Sequence, residues 1–127
     1  MCYCIVFVFI GMMHIVLSGK EFKKQYGKTP LMYACYLLKE NNVTELLRLG
    51  ANMNMIDEYG ETALHQIAHK KNDLEKKERI MKMLIKAGCN LRIRDSNSKT
   101  FIDILKRHNH QKTVKKLEEW IKETRME

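Results

Sequence analysis

Between residue 27 and residue 124, apolar side chains recur at helical spacing in short segments separated by Gly, Asn and Asp residues. In the first segment, Thr29 can cap a helix that begins at Pro30, where the missing N–H of proline costs nothing. A second helix of about two turns follows Asn42 and can end at Gly50 in the left-handed conformation. Its apolar side is formed by Val43, Leu46, Leu47 and Leu49. The pattern therefore predicts a hairpin of two short helices.

A longer helix is predicted in the middle of the chain. Asn72 and Glu75 resemble a capping box, so the helix should begin near Asp73 and run to Lys86. We expect its buried stripe to contain Leu74, Ile80, Met81, Leu84 and Ala87. We expect its lysines Lys76, Lys77, Lys82 and Lys86 to stay in water.

The last helix pair is predicted over residues 100–108 and 111–124. One face of the final helix carries Val114, Leu117, Trp120 and Ile121. Its opposite face carries Lys115, Lys116, Glu119 and Lys122. A charged outer face of this kind suits the terminal element of a stack.

These helix pairs are copies of one repeat. Gly27-Lys-Thr-Pro-Leu-Met-Tyr-Ala-Cys35 aligns with Gly60-Glu-Thr-Ala-Leu-His-Gln-Ile-Ala68 at an offset of 33 residues, with Gly, Thr and Leu in register. A third copy, Ser98-Lys-Thr-Phe-Ile-Asp-Ile-Leu105, lies 38 residues further on. The second copy therefore contains five extra residues.

The repeated segments resemble the ankyrin repeat, whose period and Thr-Pro-Leu-His signature match Thr29-Pro30-Leu31 and Thr62-Ala63-Leu64-His65. The resemblance covers residues 27–124 and implies an all-α fold, an ankyrin-repeat solenoid of stacked helix-turn-helix units joined by hairpin loops. The implied division of the chain is a hydrophobic segment 1–19, a linker 20–26, a repeat 27–59, a repeat 60–97 with the five-residue insertion, and a C-terminal capping repeat 98–124.

Three positions depart from the family pattern. Met32 and Asp103 stand where the signature has His, and Ser98 replaces the glycine before the third copy. We therefore expect the hydrogen bonds between repeats to be incomplete. Three repeats are close to the minimum for such a stack, so its stability should depend on residues 1–26 or on a partner.

Residues 1–19 contain no charged side chain. Their apolar stretch is nearer in length to a signal peptide than to a membrane-spanning helix, but the positive n-region of a signal peptide is missing. The segment is therefore a signal or anchor, a packed helix, or the result of a start codon assigned upstream of Met12 or Met13. A cytoplasmic location is the first expectation, and a membrane-associated or exported protein is the alternative.

The net charge is +8, and all of the excess lies in residues 70–127, which carry seventeen Lys+Arg against nine Asp+Glu. A basic half allows a nucleic-acid-binding module as an alternative function. Lys, Ile and Asn make up 36 of the 127 residues, however, and an AT-rich genome produces this bias without selection for charge. The basic half also lacks interleaved exposed aromatic residues, which disfavours nucleic acid as the partner. The coding bias fits an intracellular bacterium or a large DNA virus as the source.

The sequence predicts no enzyme, no metal site and no cofactor. His65 and His69 are spaced like two zinc ligands, but Gln66 replaces the glutamate of the protease motif, and the resemblance gives His65 a structural role.

His108 and His110 flank a predicted turn, where we expect them to be solvated. Cys35 and Cys89 stand where the family has Ala, so they should be reduced packing residues, as expected in a reducing compartment. Nucleophile elbows and phosphate loops are also absent from the sequence.

The resemblance instead implies a protein-binding adaptor or inhibitor, whose concave surface is made of hairpin tips and first helices. Its contact positions correspond here to Tyr36, Leu37, Ile56, Glu58, Tyr59, Glu61, His69, Lys70, Arg94, Ser96, Asn97, Lys99, Arg107 and His108. The first part of this face is aromatic and apolar, with Tyr36 and Tyr59 as anchors, and the last part is basic. Tyr36 and Leu37 could instead be packed beneath the N-terminal boundary of the stack.

Overall fold

A computed structural model describes residues 26–126, which form six helices and no strand. In chain order the helices are α1 (Pro30–Tyr36), α2 (Glu40–Arg48), α3 (Ala63–Ala68), α4 (Leu74–Lys86), α5 (Phe101–Arg107) and α6 (Gln111–Met126). The expectations for residues 1–19 and for most of the linker lie outside the described residues.

The helices form two layers. Helix α1 packs on α3 and α3 on α5, while α2 packs on α4 and α4 on α6; within each pair, the first helix also contacts the second. Each helix therefore has neighbours in its own hairpin and in the next one. This arrangement confirms the predicted all-α stack of helical hairpins.

Threonines begin the first helix of each hairpin. The hydroxyl of Thr29 accepts a hydrogen bond from the Met32 N–H at 3.2 Å, and that of Thr100 accepts one from the Asp103 N–H at 3.3 Å. The Thr62 N–H donates to Nδ1 of His65 at 3.1 Å. These local bonds satisfy backbone donors that a helix start leaves unpaired. The predicted start at Pro30 is confirmed.

One continuous apolar core runs through the stack. Its fully buried members come from all three hairpins and include Ala34, Val43, Ile67, Ile80, Leu84, Leu105 and Leu117. Cys35 and Cys89 are both buried free thiols, as predicted. Burial raises the pKa of the Cys89 thiol to about 12 and raises that of Cys35 further, so neither thiol ionises at neutral pH.

Helix α4 differs from its prediction at the N-terminal end. It begins at Leu74, after Asp73, which adopts the left-handed conformation with φ 55° and makes no side-chain cap. The capping box predicted from Asn72 is therefore wrong. Leu74 and Ala87 are exposed where burial was predicted, while Ile85 is buried. The helix ends at Lys86 as expected.

Lys77, which was predicted to be solvated, is fully buried. Its ammonium donates to the carbonyl of Ala68, the last residue of α3, at 3.3 Å, and also to the carbonyl of Lys70. Helix α4 has 13 residues against nine in α2, so the insertion adds about one turn, which lies beside the end of α3. Lys77 thus satisfies carbonyl groups that the end of α3 leaves unpaired. Burial lowers the pKa of Lys77 to about 8.

Lys77 should make the protein more stable as pH rises from about 8 to about 10.5, because the unfolded chain still binds the proton that the folded chain has released. Lys77→Met removes this gain. We expect the free energy of unfolding of wild type, relative to the variant, to increase by about 1 to 3 kcal/mol over this range in urea titrations. Lys76→Met, which changes an exposed neighbour, is the control. Identical pH profiles for wild type and Lys77→Met would contradict the assignment.

Candidate functional site

The hairpin tips between helices are built on two aspartates. Oδ1 of Asp57 accepts hydrogen bonds from the backbone N–H groups of Tyr59 and Glu61, both at 2.9 Å. Oδ1 of Asp95 accepts the same pair of bonds, from Asn97 and Lys99, also at 2.9 Å. The two tips therefore share one local geometry, which fixes the backbone that presents the predicted contact residues.

Each tip is also bonded to the tip before it. The Glu58 N–H donates to the Tyr26 carbonyl, and the Ser96 N–H donates to the Tyr59 carbonyl, both at 2.9 Å. The second contact requires a glycine: Gly60 has φ 72°, and a Cβ there would lie 3.0 Å from the Ser96 nitrogen. The tips form a row of fixed spacing.

A buried polar network joins the first hairpin to the second. Oδ2 of Asp57 accepts from Nζ of Lys28 at 2.9 Å and from Nε2 of Gln66 at 3.1 Å, and Lys28 also donates to Oε1 of Gln66 at 2.8 Å. Burial alone would raise the pKa of Asp57, but the hydrogen bonds from Lys28 and from the Glu61 and Tyr59 backbone outweigh it and lower the pKa. The carboxylate is therefore ionised at neutral pH.

His65 joins the second hairpin to the third. Its Nε2 hydrogen-bonds to the Lys99 carbonyl at 2.9 Å, while Nδ1 accepts from the Thr62 N–H. The side chain is buried. The structural role expected for His65 is confirmed. At the equivalent positions Met32 and Asp103 make only local bonds, to Thr29 and Thr100.

Most of the predicted contact residues lie at the surface. The exposed ones are Tyr36, Leu37, Ile56, Glu58, Tyr59, Arg94, Ser96, Asn97, Lys99 and Arg107. The half-buried ones are Glu61, His69, Lys70 and His108. Tyr36 and Leu37 are exposed to 43% and 42%. Their surfaces are therefore accessible, although their role in binding stays a prediction.

Several of these residues contact one another. Nζ of Lys70 lies 4.0 Å from the centre of the Tyr36 ring, a cation–π contact between the first two hairpins. His69 pairs with the Glu61 carboxylate through Nε2. Half-burial and this pairing make His69 and Glu61 weaker candidates for direct partner contact than the exposed tips.

One exposed aromatic residue, Tyr26, and one exposed apolar residue, Met55, were missed by the sequence analysis. Tyr26 is exposed to 56%, and its ring centre lies 5.9 Å from that of Tyr59. Met55 is 45% exposed beside Ile56, at the tip that is built on Asp57. The offset of 33 residues between Tyr26 and Tyr59, each followed by glycine, was the signal that could have identified Tyr26.

The prediction that His108 and His110 are solvated is wrong. Both are half-buried, and in each ring Nε2 is buried without a hydrogen-bond partner. The His108 ring centre lies 6.5 Å from that of His69 and 6.3 Å from that of His110. Burial lowers the pKa of both His108 and His110, and nearby charge lowers it further, mainly from Arg107 at His108 and from Lys77 at His110. Both rings are therefore neutral at pH 7.

Within residues 26–126, no group of three His, Cys, Asp or Glu side chains is arranged to hold a metal ion. In the same part of the chain, no helix combines the length and apolar character needed to cross a bilayer.

The repeat geometry agrees with comparisons to known proteins. The ankyrin repeat family model matches residues 26–58 and 59–96, which together are more than half of the chain. This chain belongs to the ankyrin repeat family. Inversin from Canis lupus familiaris is 32% identical over 108 residues, and human Inversin is 33% identical over 95 residues. These matches cover 82% and 75% of this chain but only 10% and 8% of Inversin, so the chain spans about a tenth of those relatives.

Solved ankyrin repeat structures have the same fold. EF0377, an ankyrin repeat protein, superposes with a TM-score of 0.69 at 24% identity, over 73% of this chain and 47% of that one. An ankyrin repeat domain (ABAYE2397) from Acinetobacter baumannii AYE has a TM-score of 0.67 at 26% identity, over 72% and 46% of the two chains.

The histidine link between ankyrin repeats should be transferable. His65→Ala should lower the free energy of unfolding by about 1 to 3 kcal/mol, because buried hydrogen bonds are lost. Met32→His should raise it by about 1 kcal/mol, because the new ring can cap Thr29 and reach the Glu61 carbonyl, the equivalent of Lys99. Asp103→His should gain nothing, because Asp103 already caps Thr100 and no hairpin follows α6 among the described residues. Urea denaturation tests all three, and a gain for Asp103→His as large as that for Met32→His would contradict the link.

The Asp57 network should make the protein acid-sensitive. Because the pKa of Asp57 is lowered on folding, its stabilisation is present above the unfolded value near pH 4 and is lost as pH falls through the folded value. Asp57→Asn should cost about 1 to 3 kcal/mol at pH 7, since an amide nitrogen then faces Lys28 and Gln66. The deficit should shrink in unfolding titrations below pH 4. Asp95→Asn is the control, because Asp95 accepts only backbone bonds and its loss should cost less.

Proposed function

We propose that this ankyrin-repeat protein is a non-enzymatic adaptor or inhibitor that binds another protein through its hairpin tips and first helices. The proposal rests on one observation: the tips carry large exposed apolar side chains on a backbone that is bonded from tip to tip. Tyr26, Ile56 and Tyr59 are exposed to 56%, 54% and 48%. Exposed aromatic residues on a preorganised surface are the usual anchors of protein interfaces.

Tyr59 is the best-supported anchor. Its carbonyl accepts the Ser96 N–H, and its own N–H donates to Asp57, so its backbone is held on both sides. Its ring lies beside the Tyr26 ring at the same surface. A partner therefore meets a side chain whose main chain is already ordered, which reduces the entropy lost on binding.

Two other functions have less support. A function as a membrane-tethered or exported protein would depend on residues 1–19, which lie outside the described residues. Nucleic-acid binding depends on the basic half. In the described part of that half, the only Phe, Tyr or Trp rings are Phe101, which is buried, and Trp120, which is partly buried against the core. No exposed ring is thus offered for base stacking there.

Tyr59→Ala should weaken binding to the partner by about 2 kcal/mol, mainly through faster dissociation. The partner is first obtained by affinity capture with the full chain, and surface plasmon resonance then measures its association and dissociation rates. Leu74→Ala is the matched control, because Leu74 is 43% exposed on α4, away from the tips. Thermal melts should show little change for either variant. Equal partner affinities for wild type and Tyr59→Ala would show that another surface binds.

A further inference from the structure

The last hairpin has a concavity at the outer side of α5. It encloses about 330 Å³ and is lined by Arg94, Ser98, Lys99, Asp103, Lys106 and Arg107 together with Ile104. Four of these residues are cations, and all four are exposed: Arg94, Lys99, Lys106 and Arg107. We call these four residues the basic end.

In the preceding hairpins, the same repeat positions face the next hairpin. Cys35 and Ala68 occupy the position of Lys106, and both are fully buried. His65 occupies the position of Asp103 and bonds to the following hairpin at Lys99. The third hairpin instead places an exposed lysine at this inter-repeat position. The outer side of the third hairpin is therefore unsuited to packing against the apolar side of another repeat.

Within residues 26–126 the charges of the basic end form no ion pair, and Asp103 interacts with Arg94 and Lys99 only at longer range. Four other cations in the described residues form ion pairs with carboxylates: Lys28 with Asp57, Arg48 with Glu45, Arg79 with Glu40 and Lys116 with Glu78. In contrast, none of the ion pairs within residues 26–126 includes a member of the basic end. A cap made only for solubility needs charge of either sign, whereas here cations outnumber the carboxylate of Asp103 by four to one.

The one carboxylate in the concavity is already bonded. Oδ2 of Asp103 accepts from the Thr100 N–H at 3.0 Å, at the start of α5. Arg94 is also held, because its Nη1 donates to the Ser98 carbonyl at 2.9 Å. The remaining N–H groups of this guanidinium can still pair with carboxylate oxygens.

We propose that the basic end binds an acidic, Asp/Glu-rich segment of the protein partner. This inference rests on the proposed function, since it takes the partner to be a protein. A single concavity with four cations matches the carboxylates of a short peptide. A nucleic acid is better matched by a longer basic track with exposed aromatic rings, and within residues 26–126 the exposed aromatic rings are those of Tyr26, Tyr36 and Tyr59, in the first two hairpins and their tips. The anchor Tyr59 and the basic end would then contact different parts of one partner.

The test uses the full-length chain and a fluorescein-labelled glutamate-rich peptide in fluorescence anisotropy. A glutamine-rich peptide of the same length and a single-stranded oligonucleotide of the same charge are the comparison probes. One variant replaces Arg94, Lys99, Lys106 and Arg107 with Gln. The matched control replaces the exposed lysines Lys76, Lys86, Lys112 and Lys115 with Gln, which changes the net charge by the same amount.

We expect the acidic peptide to bind wild type and the control variant with similar affinity and the basic-end variant about tenfold or more weakly. Binding should weaken with added salt, because exposed charges are screened beyond about 10 Å at 0.1 M. Equal weakening in both variants, absence of peptide binding to wild type, or tighter binding of the oligonucleotide would overturn the proposal.

Tyr59→Ala separates this inference from the proposed function. The variant should bind the acidic peptide as wild type does, because Tyr59 lies on the preceding tip. If partner binding is indifferent to Tyr59 while peptide binding still requires the basic end, the tip anchor is wrong and the acidic site stands. If partner binding requires Tyr59 but the peptide ignores the basic end, the acidic site is wrong and the protein-binding function stands.

Discussion

Each hairpin of this stack has an apolar side that is buried by its neighbour. The rest of the structure therefore depends on the register between neighbouring hairpins. One backbone hydrogen bond per junction sets that register, from Glu58 to Tyr26 and from Ser96 to Tyr59. The side-chain links that accompany it differ. The first junction uses the buried Lys28–Asp57–Gln66 network, whereas the second uses His65. The stack therefore conserves its spacing while changing the chemistry that holds it.

The period, the helix pairs and the threonine caps could be predicted from the sequence because they depend on neighbours within a few residues. Pro30 starts a helix and Gly50 ends one by virtue of their own backbone preferences. Exposure of the tips follows from the same logic, since a residue between a turn aspartate and a glycine has little chain around it. Ile56 and Tyr59 were identified from the contact positions that the ankyrin resemblance implies.

Several failures occur where the five-residue insertion meets the last hairpin. Helical spacing predicts that Lys77 faces solvent, but the longer α4 places its side chain against the end of α3. His110 was assigned to solvent because it flanks a turn, yet its ring lies near Lys77 and a second histidine. Such contacts join residues far apart in sequence, so no local pattern reports them. The Lys28–Gln66 pair was missed for the same reason.

The third position of each first helix shows how one local requirement allows three global roles. Met32, His65 and Asp103 all bond to the threonine that begins their helix, through sulfur, nitrogen and oxygen. Only His65 is also linked through its side chain to the next hairpin, and it occupies the middle hairpin. Met32 is buried in the core of the first hairpin, where Lys28 supplies the link instead. Asp103 bonds to Thr100 and lines a concavity with four exposed cations, so the same helix position here contributes to a charged surface.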